Sequence, residues 1–417
     1  MSRLLVTGRQ KLNGETYVQG AKNSALPILA ATILTKGENV IYNCPELSDV
    51  EVSLRILRYL GCDVKRSNHT LILRADDVNR SDIPDELMRK TRSSILFLGA
   101  ILARMGRARL SFPGGCEIGS RPIDLHLKAL SKMGAVINEK YGYLECNAPN
   151  GLKGTKIALS FPSVGATEDI MIAACLAKGT TTITNAAREP EISDLADYLN
   201  KCGAKIYGVG EGVIMIDGVD SLNGNQHTII PDRIVAATLM SCIASTGSQA
   251  VIKGIIPSHL ASIIPVFEEA GCKVRCVDGN MKISAPQRLN PMRTVRTMPY
   301  PGFPTDAQAP MLANACTAEG TSIFLENIFE NRYRHTVELT RMGANIKTEC
   351  KVAIVEGVSS LYGATVEASD LRGAAALVVA ALGAEGTTEI NGLKYLERGY
   401  EKFEVVLSEL GADIKKI

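Results

Sequence analysis

Hydrophobic and polar residues follow two different periods along this chain, and the period changes at regular intervals. Between Tyr400 and Leu410 apolar residues fall at helical spacing, whereas in 352–357 they alternate as in a half-buried strand. Segments 25–31 and 374–380 are apolar nearly all round, which predicts buried helices. The pattern predicts units of strand, buried helix, strand, amphipathic helix and paired strands.

Two series of glycines mark these units. In the first series an apolar residue precedes the glycine and a small residue follows it: Gly61, Gly134, Gly203, Gly271, Gly343 and Gly411. The second series opens short strand-like segments: Gly37, Gly106, Gly179, Gly247, Gly320 and Gly386. The first series is spaced 68 to 73 residues apart and the second keeps step with it. Two markers with one period predict six repeats, and the first series predicts helix C-caps.

The chain end indicates how the repeats are grouped. After Gly411 the chain stops before its paired strands are complete, and a matching strand occurs at 4–7. We therefore expect the first strand to complete the last repeat. Six repeats divide most simply into two domains of three, namely 21–229 and the combination of 1–20 with 230–417. Hinges are then expected near 20–21 and 229–230, with ligands bound in the cleft between the domains.

Composition excludes several classes of function. The 46 Lys and Arg residues nearly balance 44 Asp and Glu residues, and the chain has no Trp. We expect neither nucleic-acid binding nor membrane association, because a net charge of +2 provides no global attraction and few rings are present for base stacking. No segment is long and apolar enough for a secretory signal or a membrane span, so a soluble, cytoplasmic protein is expected. The 11 Cys and 5 His residues show no metal-ligand spacing, so reduced thiols, no metal and no cofactor are expected.

Charged and polar residues stand where the buried helices are expected to start. They are Lys22, Asn23, Asp232, Arg233, Asp306, Asp370 and Arg372. A helix N-terminus offers free N–H groups and a positive dipole, and an added Lys or Arg makes it suited to an anion. An anionic substrate is therefore expected. On the repeats alone, a scaffold whose glycines only cap helices is about equally compatible.

Several motifs resemble those of the enolpyruvyl transferases, in particular the group that uses UDP-N-acetylglucosamine at the start of peptidoglycan synthesis. They lie at 20–27, 113–122, 186–191, 303–306, 330–332 and 397–401, along the whole chain. The resemblance implies an α/β fold of two inside-out, barrel-like domains, each made of three repeats of about 70 residues. It also implies two small-molecule substrates, phosphoenolpyruvate and UDP-N-acetylglucosamine.

The resemblance assigns the anion-binding cations. Lys22, Arg121 and Arg398 would hold phosphoenolpyruvate, with Arg332 and Arg372 nearby. Arginine suits this task because its planar fork meets carboxylate and phosphate oxygens two at a time. With these cations in place, the reaction requires no metal.

Two further residues are candidates for proton transfer. Cys116 lies in a Gly-Gly loop, and the resemblance implies that it protonates phosphoenolpyruvate or forms a covalent adduct with it. The acid role is our hypothesis. Cys62, Cys202 and Cys272 instead occupy repeat positions where a small apolar residue suffices, and are expected in the core.

Asp306 precedes an apolar stretch, which on its own favours an ordinary helix N-cap. The resemblance makes it the group that orients and deprotonates the sugar 3′-hydroxyl. If so, Asp306→Asn is expected to leave folding largely intact. Asp232 and Asp370 match supporting positions, for which a salt bridge to arginine and a catalytic role are equally compatible.

By the same resemblance the sugar nucleotide would contact a larger set of residues. They are Asn23, Arg92, Arg121, Pro122, Ile123, Asp124, Leu125, Ser163, Val164, Gly165, Asp306 and Ile328. Ser163 opens a predicted helix whose N–H groups suit a diphosphate. Phe161 and Ser48 stand where relatives often carry Lys, so weaker or differently arranged nucleotide binding is expected.

Three interpretations are compatible with the sequence. The first is the UDP-N-acetylglucosamine transferase. The second is the related enzyme that makes 5-enolpyruvylshikimate 3-phosphate, in which the Gly-Gly-Cys loop is not expected. The third is a catalytically idle repeat protein, which the intact set of charged groups argues against. The sequence does not determine the oligomeric state.

Overall fold

The computed structural model describes residues 2–114 and 123–417. Within these ranges the chain forms two compact units. We name residues 20–114 with 123–230 the inserted unit, and residues 2–19 with 231–417 the split unit. None of the helices in the described ranges combines the length and the apolar character needed to cross a bilayer.

The inserted unit alternates helices and short strands. Its helices are α1 (Lys22–Ala31), α2 (Ser48–Leu60), α3 (Asp85–Met88), α4 (Phe97–Met105), α5 (Asp124–Lys132), α6 (Val164–Ala174) and α7 (Pro190–Lys201). Its strands are β3 (Thr35–Lys36), β4 (Glu38–Tyr42), β5 (Asp63–Ser67), β6 (Thr70–Arg74), β7 (Arg107–Ser111), β8 (Val136–Lys140), β9 (Tyr143–Asn147), β10 (Lys156–Ala158), β11 (Thr180–Thr184), β12 (Lys205–Tyr207), β13 (Val213–Asp217), β14 (Leu222–Asn223) and β15 (Gln226–Thr228).

The split unit repeats the same succession. Its helices are α8 (Arg233–Ser245), α9 (Ile264–Glu269), α10 (Thr305–Ala315), α11 (Thr336–Arg341), α12 (Leu371–Gly383), α13 (Leu393–Leu396) and α14 (Phe403–Glu409). Its strands are β1 (Leu4–Thr7), β2 (Glu15–Tyr17), β16 (Gln249–Lys253), β17 (Lys273–Val277), β18 (Asn280–Ser284), β19 (Thr294–Arg296), β20 (Thr321–Leu325), β21 (Asn345–Glu349), β22 (Val352–Glu356), β23 (Thr365–Glu367), β24 (Thr387–Asn391) and β25 (Asp413–Lys416).

Each glycine of the first series ends a helix in the same way. All six have φ between 93° and 105°, a left-handed conformation that glycine adopts without steric cost. At Gly61 the glycine N–H donates to the Arg58 carbonyl at 3.1 Å, and the Cys62 N–H donates to the Leu57 carbonyl at 3.0 Å. The same pair of bonds recurs at the other five glycines. The predicted helix C-caps are confirmed.

Six sheets carry the repeats, three in each unit. Five share one order, in which an edge strand pairs parallel with a central strand and two further strands follow in antiparallel pairing: β15-β4-β6-β5, β10-β11-β13-β12, β2-β16-β18-β17, β19-β20-β22-β21 and β23-β24-β1-β25. The sixth, β7-β9-β8, has three strands, and a parallel bridge between Asp82 and Arg109 stands beside its edge strand β7. A further short pair joins β14 to β3. These sheets are open, so the described residues contain no closed barrel.

The first strand completes the last repeat, as the sequence predicts. β1 pairs antiparallel with both β24 and β25, so that Val6 lies opposite Thr388 and Ile414. In the other repeats, a strand that follows the repeat glycine in the chain occupies this position. The N-terminus therefore supplies a strand that the C-terminal end of the chain does not contain.

Three central helices fill each unit, α1, α4 and α6 in the inserted unit and α8, α10 and α12 in the split unit. They pack against one another and are buried over most of their length, with the sheets outside them. Each unit has its own hydrophobic core. The predicted inside-out α/β architecture is confirmed.

Candidate active site

Two buried arginines share one carboxylate in the split unit. Asp306, the second residue of α10, accepts a hydrogen bond from Nη2 of Arg332 at 2.8 Å through Oδ1. Its Oδ2 accepts from Nη2 of Arg372, the second residue of α12, at 2.9 Å. Arg332 also donates to the Thr305 carbonyl at 2.9 Å. The arrangement concentrates two positive charges at the start of two central helices.

Burial sets the electrostatics of this cluster. The side chains of Arg332 and Arg372 are 2% and 3% exposed, whereas that of Asp306 is 26% exposed. Burial alone lowers the pKa of the Arg372 guanidinium, but Asp306, Tyr400 and Asp232 together raise it above its ordinary value. The guanidinium therefore stays charged, and its Nη1 donates to the Tyr400 hydroxyl at 3.1 Å.

The three central-helix aspartates have different partners. Asp232 and Asp370 are the N-caps of α8 and α12, and their side chains accept the first backbone N–H groups of those helices. The N-cap of α10 is Pro304, so the N-cap interpretation of Asp306 is wrong. Because Asp306 lies inside the first turn, its carboxylate turns to side chains of other elements. Asp370 also lies 4.0 Å from Arg332, so it both caps a helix and pairs with arginine.

A buried histidine, His335, contacts the backbone of Arg332. Nδ1 of His335 lies 3.2 Å from the Arg332 carbonyl oxygen. Burial, assisted by the charge of Arg332, lowers the pKa of His335 to about 4, so its ring is neutral near pH 7. Among the described residues, Nε2 of His335, Oδ2 of Asp370 and Nε of Arg372 have no hydrogen-bond partner. One donor on α12 and two acceptors, on the N-caps of α11 and α12, are therefore without a hydrogen-bond partner among the described residues.

The loop that carries Ile328 is held against α10. Glu326 is buried and accepts hydrogen bonds from the Ile328 N–H at 2.8 Å and the Thr305 hydroxyl at 3.0 Å. Arg398 is half-buried in the turn between α13 and α14, two residues before Tyr400. All the predicted site residues of the split unit thus lie on elements next to the starts of α8, α10 and α12.

In the inserted unit, Lys22 is the first residue of α1. Its Nζ lies 2.9 Å from Oδ2 of Asp49, and both side chains are buried. Asn23 follows on α1 and is half-buried. Arg92 opens the short 3₁₀ turn that leads into α4 and is half-buried. Predicted site residues from two separate segments of the chain therefore lie at the start of α1 and in the turn that leads into α4.

The start of α6 has the geometry expected of an anion-binding helix N-terminus. Ser163 is its N-cap and accepts the Ala166 N–H at 3.3 Å, while Val164 and Gly165 are its first two residues. A Cβ at Gly165 would lie 3.4 Å from Nε2 of His126, on the neighbouring helix α5, so the residue is closely packed. The backbone N–H groups here are available without a lysine side chain.

The other predicted nucleotide contacts lie at the start of α5. Ile123 is the N-cap of α5 and is buried, and Leu125 is half-buried. Asp124 pairs with Lys128 at 2.9 Å, and this hydrogen bond lowers the pKa of Asp124. Cys116, Arg121 and Pro122 lie outside the described residues, so the structure does not test their placement.

The cysteines expected in the core are buried. Burial raises the pKa of Cys62 and Cys272 to about 12 and that of Cys202 to about 11. These thiols stay protonated at neutral pH and are poor nucleophiles. Their assignment to the core is confirmed.

Sequence reasoning did not single out Asp49, Tyr400 or His335 as site residues. Each is a polar residue buried within an apolar setting, which is unusual enough to be a signal. The sequence alone does not show which buried cation each one faces, because the partners come from other elements.

The chain matches the family model described as EPSP synthase (3-phosphoshikimate 1-carboxyvinyltransferase) over residues 6–407. It is 49% identical to UDP-N-acetylglucosamine 1-carboxyvinyltransferase 2 of Caldanaerobacter subterraneus subsp. tengcongensis, with all of both chains covered. It is 50% identical to UDP-N-acetylglucosamine 1-carboxyvinyltransferase 1 of Symbiobacterium thermophilum, with all of this chain and 95% of the relative covered.

Solved structures show the same fold. The enolpyruvyl transferase NikO from Streptomyces tendae superposes with a TM-score of 0.90 at 25% identity, covering 100% of this chain and 98% of that one. The EPSP synthase from Acinetobacter baumannii superposes with a TM-score of 0.76 at 19% identity, covering all of both chains. Because the identity to the EPSP synthase is only 19%, this similarity concerns the fold alone.

Proposed function

We propose that this chain, which belongs to the EPSP synthase family of enolpyruvyl transferases, is a UDP-N-acetylglucosamine 1-carboxyvinyltransferase. In this reaction the enolpyruvyl group of phosphoenolpyruvate passes to the 3′-hydroxyl of UDP-N-acetylglucosamine and phosphate is released. It is the first committed step of peptidoglycan synthesis. The observation that carries the proposal is full-length identity of 48–50% to relatives of that name.

The charged clusters support a reaction between two anions. Phosphoenolpyruvate brings a carboxylate and a phosphate, and the sugar nucleotide brings a diphosphate. Lys22, Arg121 and Arg398 hold phosphoenolpyruvate in this proposal, and Arg332 and Arg372 contribute further positive charge. The starts of α4, α5 and α6 serve the nucleotide. Fixed cations of this kind stabilise the charge that develops during transfer.

The chemistry requires one acid and one base. Asp306 takes the proton of the 3′-hydroxyl while the sugar 3′ oxygen bonds to C2 of phosphoenolpyruvate. Cys116 gives a proton to C3. Expulsion of phosphate and loss of one C3 proton then restore the double bond. The greater exposure of Asp306, 26% against 2% for Arg332, is consistent with this proposed role. Asp232 and Asp370 would support it by fixing the helix starts, and Asp370 also faces Arg332.

Phosphate release with phosphoenolpyruvate and UDP-N-acetylglucosamine tests the proposal directly. We expect turnover with this acceptor and none when shikimate 3-phosphate replaces it. Turnover with shikimate 3-phosphate alone would favour the related synthase, and no turnover with either acceptor would favour a catalytically idle protein. We also propose a cytoplasmic location, because both proposed substrates are polyanions that do not cross a bilayer unaided.

A further inference from the structure

A buried carboxylate of the inserted unit connects the start of α1 to two other segments. Asp194, on α7, accepts hydrogen bonds from the Ser24 hydroxyl and from Nε2 of His227, the latter at 2.8 Å. It also accepts the backbone N–H of Ile230 at 3.3 Å. Asp194 and His227 are each 4% exposed and Ser24 is fully buried. Three donors supply the hydrogen bonds that a carboxylate needs at this depth.

These contacts close a ring through the backbone. Ile230, whose N–H donates to Asp194, accepts the Ala21 N–H through its carbonyl at 2.8 Å. Ala21 and Ser24 are the N-cap and the third residue of α1. The first turn of α1 is therefore fixed at both ends by one carboxylate, directly through Ser24 and indirectly through Ile230.

Lys201, which contacts the second ring nitrogen of His227, determines which nitrogen of the ring carries the hydrogen. Nζ of Lys201 lies 3.3 Å from Nδ1, and an ammonium group can only donate, so Nδ1 accepts and Nε2 carries the hydrogen that faces Asp194. The imidazole packs edge-on against Tyr198, with ring centroids 5.6 Å apart. His227 is thus held as a donor to Asp194.

The turn that this network fixes carries two proposed substrate-binding residues. Lys22 and Asn23 are the first and second residues of α1, directly before Ser24. The N-cap, Ala21, provides no side-chain hydrogen bond. A buried negative charge near a helix N-terminus also interacts favourably with the helix dipole. Asp194 therefore fixes this turn through the Ser24 side chain, in a helix whose N-cap residue makes no side-chain hydrogen bond.

We propose that Asp194, acting through Ser24 and Ile230, is a positioning residue that sets the direction in which Lys22 and Asn23 face the substrates. The role rests on the proposed function, because Lys22 and Asn23 bind substrate only in that reaction. Asp194 itself contacts no reacting atom. Its effect is on binding and transition-state alignment, because a displacement of about 1 Å in such groups lowers rates by up to about 100-fold.

Ser24→Ala is the sharpest test, because it removes the direct link from Asp194 to α1 and leaves the bonds of Asp194 to His227 and Ile230 in place. We expect kcat/KM for phosphoenolpyruvate to fall about tenfold and inhibition by inorganic phosphate to weaken in parallel. In Asp194→Asn, kcat/KM for phosphoenolpyruvate is expected to fall at least as far. The double variant should then be no worse than Asp194→Asn alone, because both changes break the same connection.

Ser241→Ala is the matched control. Ser241 is 1% exposed on a central helix of the split unit, and its hydroxyl donates to the carbonyl of Ala237 in the same helix at 3.0 Å. The Ser241→Ala variant loses a comparable buried hydroxyl and should keep wild-type activity. Equal losses in Ser24→Ala and Ser241→Ala, or unchanged kinetics in Ser24→Ala, would overturn the positioning role.

Amide hydrogen exchange separates this proposal from the proposed function. In Ser24→Ala, peptides covering residues 18–29 should exchange faster than in the wild type, whatever the activity. If the wild type releases no phosphate, the proposed function fails while the exchange result still decides whether Asp194 fixes this turn. Unchanged exchange there would overturn the positioning role by itself.

Discussion

Replacing Asp306 by asparagine should destabilise the split unit as well as stop turnover. The amide oxygen of Asn can accept from one guanidinium, but its NH₂ group then faces the other. Removing one partner of a buried ion pair costs about 3–5 kcal/mol. Asp306 is 26% exposed and Asp370 still faces Arg332, so the lower end, about 3 kcal/mol, is expected. The expectation of largely intact folding, drawn from the sequence, is thereby revised.

The predicted loss is measurable by thermal unfolding. For a unit of 150–250 residues, 1 kcal/mol corresponds to about 2–4 °C, so the midpoint should fall by about 6–12 °C. Added inorganic phosphate should raise the midpoint of Asp306→Asn more than that of the wild type, because the anion supplies the missing negative charge. Circular dichroism follows unfolding, and exchange in α10 and α12 locates the change.

An exposed ion pair provides the control. Glu38 and Arg74 lie 2.9 Å apart with about half of each side chain exposed, so Glu38→Gln should leave the midpoint unchanged. If Asp306→Asn shifts the midpoint by less than about 2 °C, the two guanidiniums are compensated elsewhere and the reasoning is refuted.

Three further outcomes are expected. Cys116→Ala should abolish phosphate release, and retention of full turnover would exclude the acid role. Phe161→Lys should tighten UDP-N-acetylglucosamine binding in calorimetry, most strongly at low salt, if a cation is missing there. Because burial lowers the pKa of His335 to about 4, the unfolded chain takes up a proton first as pH falls, so up to about 3 kcal/mol of stability should be lost between pH 6.5 and 4. His335→Gln should flatten that slope in urea titrations, and an unchanged slope would contradict the assignment.

The features that the sequence predicted well are those fixed by local backbone requirements. A left-handed C-cap after an amphipathic helix needs glycine, so the repeat was visible at Gly61 and at its five counterparts. The pairing of β1 with β24 and β25 followed from the repeat count alone, although these strands lie at opposite ends of the chain. Periodicity and chain order were sufficient for both conclusions.

Partner choice was harder to predict because it depends on contacts distant in sequence. Ser24 and Asp194 are 170 residues apart, and Arg372 lies 66 residues from Asp306. The charged helix starts were correctly identified as unusual, but nothing local distinguished Asp194 from an ordinary surface residue of an amphipathic helix. The positions of the charges could be predicted, whereas their pairing could not.

A shift of two residues in helix register explains why three similar aspartates act differently. Asp232 and Asp370 precede their helices and are held by backbone N–H groups, which no substrate displaces. Asp306 lies inside its helix and is held by two guanidiniums, which can also bind the oxygens of an anionic ligand. An incoming phosphate or carboxylate therefore competes with Asp306 for those cations. In the proposed reaction this competition frees the carboxylate to accept the hydroxyl proton only when the anionic substrate has arrived.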